Sequence, residues 1–292
     1  MSDRDINIIT AANDAYFSAL AVMLFSLGRT LANGRCANVH ILTADLSASN
    51  ESLLYVALSR LAVNIRVLRV KTSSFEDLKI SGHISLETYL RLLAPGLFPD
   101  LPKALYLDAD IVVRQSVHEL YDETVEGAHL LAVPHISMLS AFFGAERGIP
   151  SYRLRGIHPL TRTFNAGVML LNLTLWRETA VSDRVLQYLR DFKEHVLWWD
   201  QDGLNSILYG CWKPLPVKWN LMTSHFSRGR TWKDSTLDEE SYRAAQEDPA
   251  IVHYSFVPKP WEKCYDGPFG ALWKSTWLEV SQAFTTDQAV AR

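Results

Sequence analysis

The run Lys103-Ala-Leu-Tyr-Leu-Asp-Ala-Asp-Ile-Val112 is apolar, delivers two carboxylates at Asp108 and Asp110, and turns apolar again. On an extended chain, residues two apart point the same way about 7 Å apart. Both can then engage one divalent ion, or that ion and the phosphates bound to it. Hard oxygen ligands suit Mg²⁺ or Mn²⁺. Alone, the triplet also fits two turn residues or caps at the end of a buried strand. Other polar groups need placing beside it: Asn13-Asp-Ala-Tyr16, Phe164-Asn-Ala-Gly167 and Asp200-Gln-Asp202, with Val252-His-Tyr254 and Lys259-Pro-Trp261 behind them.

The elements that must carry these groups alternate between strand and helix through the first two thirds of the chain, which predicts an α/β fold with a Rossmann-like mixed sheet flanked by helices. Ile6 to Ala11 reads as the first strand. Ala15 to Leu31, with Leu20, Met23, Leu24 and Leu27 at helical spacing, reads as the following helix. Val39 to Leu42 is a second strand, Ser49 to Leu61 a helix, and Ile65 to Val70 a third strand. Open sheets of this kind bind ligands outside the carboxyl ends of their strands, where the Asn13–Tyr16 and Asp108–Asp110 turns fall. No Gly-x-Gly-x-x-Gly follows the first strand, which argues against a nicotinamide or flavin dinucleotide. Residues 137–163 lose periodicity, like an insertion that covers a site. A strand returns at Phe164–Asn172, a helix is predicted over Ser182 to Val196, and a short helix follows Asp202. Residues 224–248 are polar. An aromatic end runs from Trp261 to Trp277, with fraying expected over the last ten or so residues. The division expected is a catalytic domain over 1–262 and a C-terminal extension over 263–292.

The chain has 292 residues, 48% of them hydrophobic, enough for one large domain, and a formal net charge of -3. That balance gives no basic field for nucleic acid. Three widely spaced cysteines, Cys36, Cys211 and Cys264, make neither a disulfide framework nor a zinc cluster. A cytoplasmic location is expected, since the start carries no signal-peptide pattern and no apolar run reaches about 18 residues.

The motif set, in this order, resembles the family 8 glycosyltransferases, the group that includes glycogenin and the lipopolysaccharide α-galactosyltransferases. The resemblance runs from about Ile6 to Trp261 and includes Thr88-Tyr-Leu-Arg-Leu92. It implies a GT-A type fold and a retaining transfer of a hexose, glucose or galactose, from a UDP-sugar to a hydroxyl of a glycan, a lipid-linked saccharide or a protein. It also implies Mn²⁺ held by the DXD carboxylates Asp108 and Asp110 and by His253. Ala11, Asn13 and Tyr16 correspond to residues around uracil and ribose, with the backbone at Ala109 along the ribose. Arg91 matches an arginine that reaches donor sugar and phosphate. Asn165, Ala166 and Asp200 match the sugar subsite, Gln201 the amide facing the anomeric carbon, and Lys259 the lysine on the diphosphate. Asp200, Gln201 and Arg91 are therefore the candidate catalytic residues. A lipid-linked acceptor implies peripheral contact with the inner face of a membrane through the Trp261–Trp277 stretch.

Each residue also has a structural reading: Tyr16 as a core aromatic, His253 as a hydrogen-bonded core histidine, Gly167 as a site of close strand–helix packing, and Asp202 as the cap of the helix around Leu204 to Leu208. The family usually has glycine where this chain has Phe256, and the glycine-proline pattern before its lysine becomes Phe256-Val-Pro258. Three other functions fit parts of the pattern. Asp108-Ala-Asp110-Ile-Val112 also resembles the nucleophile motif of haloacid-dehalogenase-like phosphatases, with Asp108 phosphorylated. A UDP-sugar-binding protein without turnover fits the Phe256 departure. Self-glycosylation fits a surface tyrosine such as Tyr121 or Tyr242.

Overall fold

The computed structural model describes residues 5–32, 34–80, 85–136, 149 and 151–286. Its centre is a seven-stranded sheet whose strands follow the apolar runs: β1 (Ile6–Ala11), β2 (Ala37–Thr43), β3 (Val63–Arg69), β4 (Lys103–Leu107), β6 (Leu130–Pro134), β7 (Phe164–Asn172) and β8 (Trp212–Pro214). Three short strands, β5 (Ile111–Val113), β9 (Leu221–Met222) and β10 (Ile251–His253), make a second sheet. The helices are α1 (Phe17–Thr30), α2 (Ala48–Leu58), α3 (Ala94–Leu97), α4 (His118–Asp122), α5 (Leu173–Glu178), α6 (Val181–Asp191), α7 (Trp199–Ile207), α8 (Glu239–Glu247) and α9 (Gly270–Thr286).

The large sheet has the order β3-β2-β1-β4-β7-β6-β8. Strands β1 to β4 are mutually parallel where they pair, and β7 runs antiparallel to both β4 and β6. The sheet is thus mixed, as the sequence predicts. The chain moves outward from β1 through β2 to β3 and then returns to β4 on the other side of β1. That reversal opens a crevice beyond the carboxyl ends of β1 and β4, the place where α/β sheets bind ligands.

Alternation along the strands sends side chains to two cores. Ile8, Leu105 and Leu107 join α1 on one face, whereas Ile9, Ala104 and Tyr106 join α6 and α7 on the other. On α1, Leu20, Met23, Leu24 and Leu27, at the spacing read from the sequence, are buried together with Ala19, Ala21, Val22 and Ser26. Helix α9 completes the first core, with Trp273 and Val280 buried in it and Phe284 stacked on Phe17. Burying a large apolar side chain contributes about 1.5–3 kcal/mol, so this helix is a stabilising part of the core.

Several boundaries differ from the sequence reading. The first helix begins at Phe17, because Asp14–Tyr16 form a separate 3₁₀ turn. Asp14 braces that turn by accepting hydrogen bonds from Ser47 N and Asn50 Nδ2, both at 2.8 Å, at the start of α2. The helix expected over Ser182 to Val196 stops at Asp191 and ends in a 3₁₀ turn at Lys193–His195. Residues 224–248 contain α8, whose start is capped where Asp238 accepts from Ser241 N at 2.7 Å. Only Tyr242 and Ala245 of that helix are buried, so its apolar pattern is too sparse to read. Helical order runs to Thr286, beyond the expected onset of fraying, and residues 287–292 lie outside the described residues. Residues 137–148 and 150 of the insertion read at 137–163 also lie outside them.

Candidate active site

Chain geometry brings the scattered motifs together at the corner between the two sheets. Strand β4 ends at Leu107, and the chain turns through Asp108-Ala-Asp110 into β5. Strand β10 pairs antiparallel with β5 in a register that sets His253 opposite Ile111, and Tyr254 N donates to Asp110 O at 3.0 Å. Strand β7 reaches the same point from the other side, where Asp108 N donates to Gly167 O at 2.8 Å. Sheet pairing thus sets His253 and Gly167 against the two carboxylates.

Ligand atoms of Asp108, Asp110 and His253 all lie within 4.8 Å of one another. His253 Nε2 is 3.3 Å from Asp110 Oδ1 and 3.8 Å from Asp108 Oδ2. Oxygen and nitrogen donors about 2.1 Å from a small divalent ion stand roughly 3 Å apart in neighbouring positions, so this triad fits one. The glycine at 167 keeps the space open. A Cβ there would stand 2.3 Å from His253 Cε1 and 2.7 Å from Asp108 Oδ2. Its role is close approach to the triad; the strand–helix packing read from the sequence is not what requires it.

Charge at the site is held by two cations. Lys259 Nζ donates to Asp110 Oδ2 at 2.6 Å and to Tyr254 O at 2.7 Å. Arg91 NH2 and the Tyr106 hydroxyl both donate to Asp108 Oδ1, at 3.0 and 3.1 Å. The guanidinium also donates to Ala166 O and Thr88 O and lies over the Tyr106 ring. Burial alone would raise the Asp110 carboxyl, but Lys259 and His253 pull it far below the usual range. Among the described residues Asp108, Asp110 and Asp200 are paired with two cationic side chains, Arg91 and Lys259, and that balance favours a further cation.

Asp200 sits on the first turn of α7, almost fully buried. Its Oδ1 accepts from Thr88 Oγ1 at 2.7 Å, and its Oδ2 lies 3.0 Å from Arg91 Nε. The Nε proton points to Thr88 O, so Oδ2 receives charge but no hydrogen bond. Burial raises the Asp200 carboxyl above its ordinary value despite Arg91. Gln201 is saturated on its oxygen, which accepts from Asn165 Nδ2 and Ala166 N, both at 3.1 Å. Asp202 does bind the helix entry, but α7 starts earlier than expected, at Trp199. Asp202 lies inside the first turn and its Oδ2 accepts from Leu197 N at 2.6 Å and Trp198 N at 2.9 Å. Burial drives this carboxyl up to about 7.

The catalytic, donor and metal residues expected from the sequence all line one cleft of about 720 Å³: Ala11, Asn13, Tyr16, Arg91, Asp108, Ala109, Asp110, Asn165, Ala166, Asp200, Gln201, His253 and Lys259. Tyr16 is half-buried and meets Trp261 edge-on at 5.4 Å, so it serves packing and the cleft wall at once. Three residues were missed in the sequence: Tyr106, His135 and Asn220. Asn220 accepts from His253 Nδ1 at 2.9 Å and orients the ring, yet an isolated asparagine in a stretch without period gives no signal. Phe256, 53% exposed, stands at the cleft wall. Tyr121 and Tyr242 are buried and hydrogen-bonded, which overturns their reading as surface acceptors. Trp273 is buried, and Trp261 and Trp277 pack around it, so these aromatics serve the core. Among the described residues no helix is long and apolar enough to cross a membrane.

A sequence model of the family described as "Glycosyl transferase family 8" matches residues 7–264. The chain is 26% identical over 273 residues to General stress protein A of Bacillus subtilis, covering 91% of each chain. It is 26% identical over 247 residues to the lipopolysaccharide 1,3-galactosyltransferase of Salmonella typhimurium, covering 82% of this chain and 69% of that one. Among solved structures, the galactosyltransferase LgtC in complex with donor and acceptor sugar analogues superposes with a TM-score of 0.77 at 25% identity, over 93% of this chain and 95% of that one.

Proposed function

The chain belongs to glycosyl transferase family 8, and on that premise we propose that it transfers glucose or galactose from its UDP-sugar, with retention, to a hydroxyl of a glycan or lipopolysaccharide. The observation that carries the reading is the Asp108–Asp110–His253 triad, held open by Gly167 in a cleft that also contains every expected donor-binding residue. The family premise displaces the dehalogenase-like phosphatase.

Asn13 and Tyr16 would face the nucleoside, and Ala11 and Ala109 would lie along it at the ends of β1 and β4. Mn²⁺ in the triad would neutralise charge on the leaving diphosphate as a Lewis acid. Lys259 and Arg91 add fixed positive charge on the same side, and such preorganised electrostatics is often the largest catalytic contribution. Asp200 Oδ2, a buried acceptor without a hydrogen bond, suits a sugar hydroxyl. The Gln201 oxygen already accepts two N–H groups and is a poor nucleophile. We therefore favour a front-face path, in which an oxygen of the departing diphosphate takes the acceptor proton as the sugar passes over. An acceptor anchored in a membrane would approach near the exposed Lys263 and Lys274.

The test is UDP release from UDP-glucose and UDP-galactose with Mn²⁺ and with chelator. Release that requires metal and one of the sugars supports the proposal. Tight UDP-sugar binding without any release in the presence of varied glycans would identify a binding protein instead. An inverted anomeric centre in the product, read by NMR, would overturn retention.

A further inference from the structure

A chain of side-chain hydrogen bonds runs from His253 across the floor of the cleft to His135. Two backbone groups fix its direction. Gly167 N donates to Asn165 Oδ1 at 2.9 Å, and Ala166 N donates to Gln201 Oε1 at 3.1 Å. Backbone N–H groups can only donate, so neither amide can be flipped without setting N–H against N–H. Asn165 Nδ2 therefore donates to Gln201 Oε1 at 3.1 Å. Asn220 Nδ2 donates to Asn165 Oδ1 at 2.8 Å, which leaves Asn220 Oδ1 to accept from His253 Nδ1 at 2.9 Å. At the other end Gln201 Nε2 must donate to His135 Nε2, 3.2 Å away.

The polarity decides both histidines. His253 carries its proton on Nδ1 and offers the Nε2 lone pair to the triad, as a metal ligand should. His135 accepts at Nε2, and burial lowers its ring to about 4, so at neutral pH it is uncharged with its one proton on Nδ1. The residue is 8% exposed, lines the cleft, and its Nδ1 has no hydrogen-bond partner among the described residues. A buried N–H left unpaired costs about 1–3 kcal/mol, which a bound oxygen would offset.

We propose that His135 is a specificity-determining residue that donates its Nδ1 proton to a hydroxyl of the donor hexose, held in that donor state by the amide chain from His253. The inference rests on the function proposed above. Its place favours the donor sugar, because its direct partner Gln201 adjoins Asp200 and bonds to Asn165, beside the Asp108 carboxylate. The nitrogen itself is buried, so a sugar hydroxyl reaches it when the ring turns toward the cleft it lines. A neutral donor there recognises a hydroxyl oxygen and gives no attraction specific to phosphate.

The experiment is calorimetric titration of the Mg²⁺-loaded full chain with UDP, UDP-glucose and UDP-galactose, for wild type, His135→Phe and His135→Asn. The expected result is a UDP affinity unchanged in all three, and a loss of about tenfold for the preferred UDP-hexose in His135→Phe alone. Asparagine can accept from Gln201 and still donate, so His135→Asn should retain most of the affinity. Equal UDP-hexose affinities in all three proteins would overturn the inference and leave the proposed function standing. Failure of the wild type to bind UDP or either UDP-hexose would overturn both. Nitrogen-15 NMR of the wild-type Mg²⁺ form reads the tautomer without any nucleotide: a proton on Nδ1 of His135 is expected, and a proton on Nε2 would refute the chain.

Discussion

The two walls of the cleft are built differently. On one, Asp108, Asp110 and His253 stand at the ends of strands locked into sheets, Gly167 lies within β7, and Lys259 and Arg91 pair with the carboxylates. On the other, Trp198, Trp199, Ser224, Arg230 and Phe256 lie mostly on connecting segments, Trp199 has a left-handed backbone at φ 49°, and His135 Nδ1 is unpaired. A metal and a diphosphate need fixed charges at fixed distances, which paired strands provide. Which sugar groups are recognised can be tuned on loops without disturbing the rigid frame. The same contrast holds for buried carboxylates. Asp110 is bonded to the Lys259 ammonium and is pulled down, whereas Asp202 has chiefly two backbone N–H groups and is pushed up to about 7.

The largest break should come from Asp110→Ala. It removes a triad ligand and leaves Lys259 buried without its carboxylate, so metal-dependent UDP release should fall at least roughly 10²-fold. Stability should drop by about 3–5 kcal/mol, read by denaturant unfolding beside a Mn²⁺ titration. Full activity in this variant would remove the triad from the chemistry.

Asp202→Asn probes the uncompensated wall. A buried acid raised to about 7 binds a proton in the folded state that the unfolded chain, near 3.9, has already lost. Wild-type stability should therefore be highest with respect to this group below about pH 4 and decline as pH rises through 7. The amide can accept the same two backbone N–H groups and carries no charge. Above pH 7 the variant should be more stable than wild type by up to about 4 kcal/mol, with the gap closing toward pH 4. Unfolding curves at pH 4.5 and 8 give the comparison, and a gap independent of pH would contradict it.

Gly167→Ala tests how closely the strands hold the triad. The added methyl meets His253 and Asp108, so a loss of about 1–3 kcal/mol in stability is expected, with Mn²⁺ affinity reduced about tenfold or more. Unchanged Mn²⁺ binding would show that the triad can relax around a side chain. The smallest effect belongs to Phe256→Gly on the loop wall. Stability should change by less than about 0.5 kcal/mol because the ring is exposed, while the KM for UDP-sugar shifts a few-fold. A larger stability change would place Phe256 in the core.

What was legible in the sequence follows the same division. Strands β1, β4 and β7 are long apolar runs, and their ends carry Asn13, Asp108 and Asn165, so pattern and chemistry could be read together. The sheet of β5, β9 and β10 was not legible, because strands of two or three residues show no period. With it went Asn220, whose importance depends on the register of β9 beside β10. His135 ends the apolar run of β6 and looks like any polar residue at a strand terminus. Only the hydrogen-bond partners of Gln201 set it apart.

The packing of α9 on α1 bears on how the protein is made. Helix α1 buries part of its apolar face against Phe284, Val280 and Trp273, which are synthesised much later. His253 and Lys259, which complete the triad and its charge balance, also emerge late. On the ribosome the N-terminal sheet must therefore wait with an uncovered greasy flank. A nascent chain at that stage is a natural client for chaperones, and it gains its lasting fold and the Asp108–Asp110–His253 cluster in one late step.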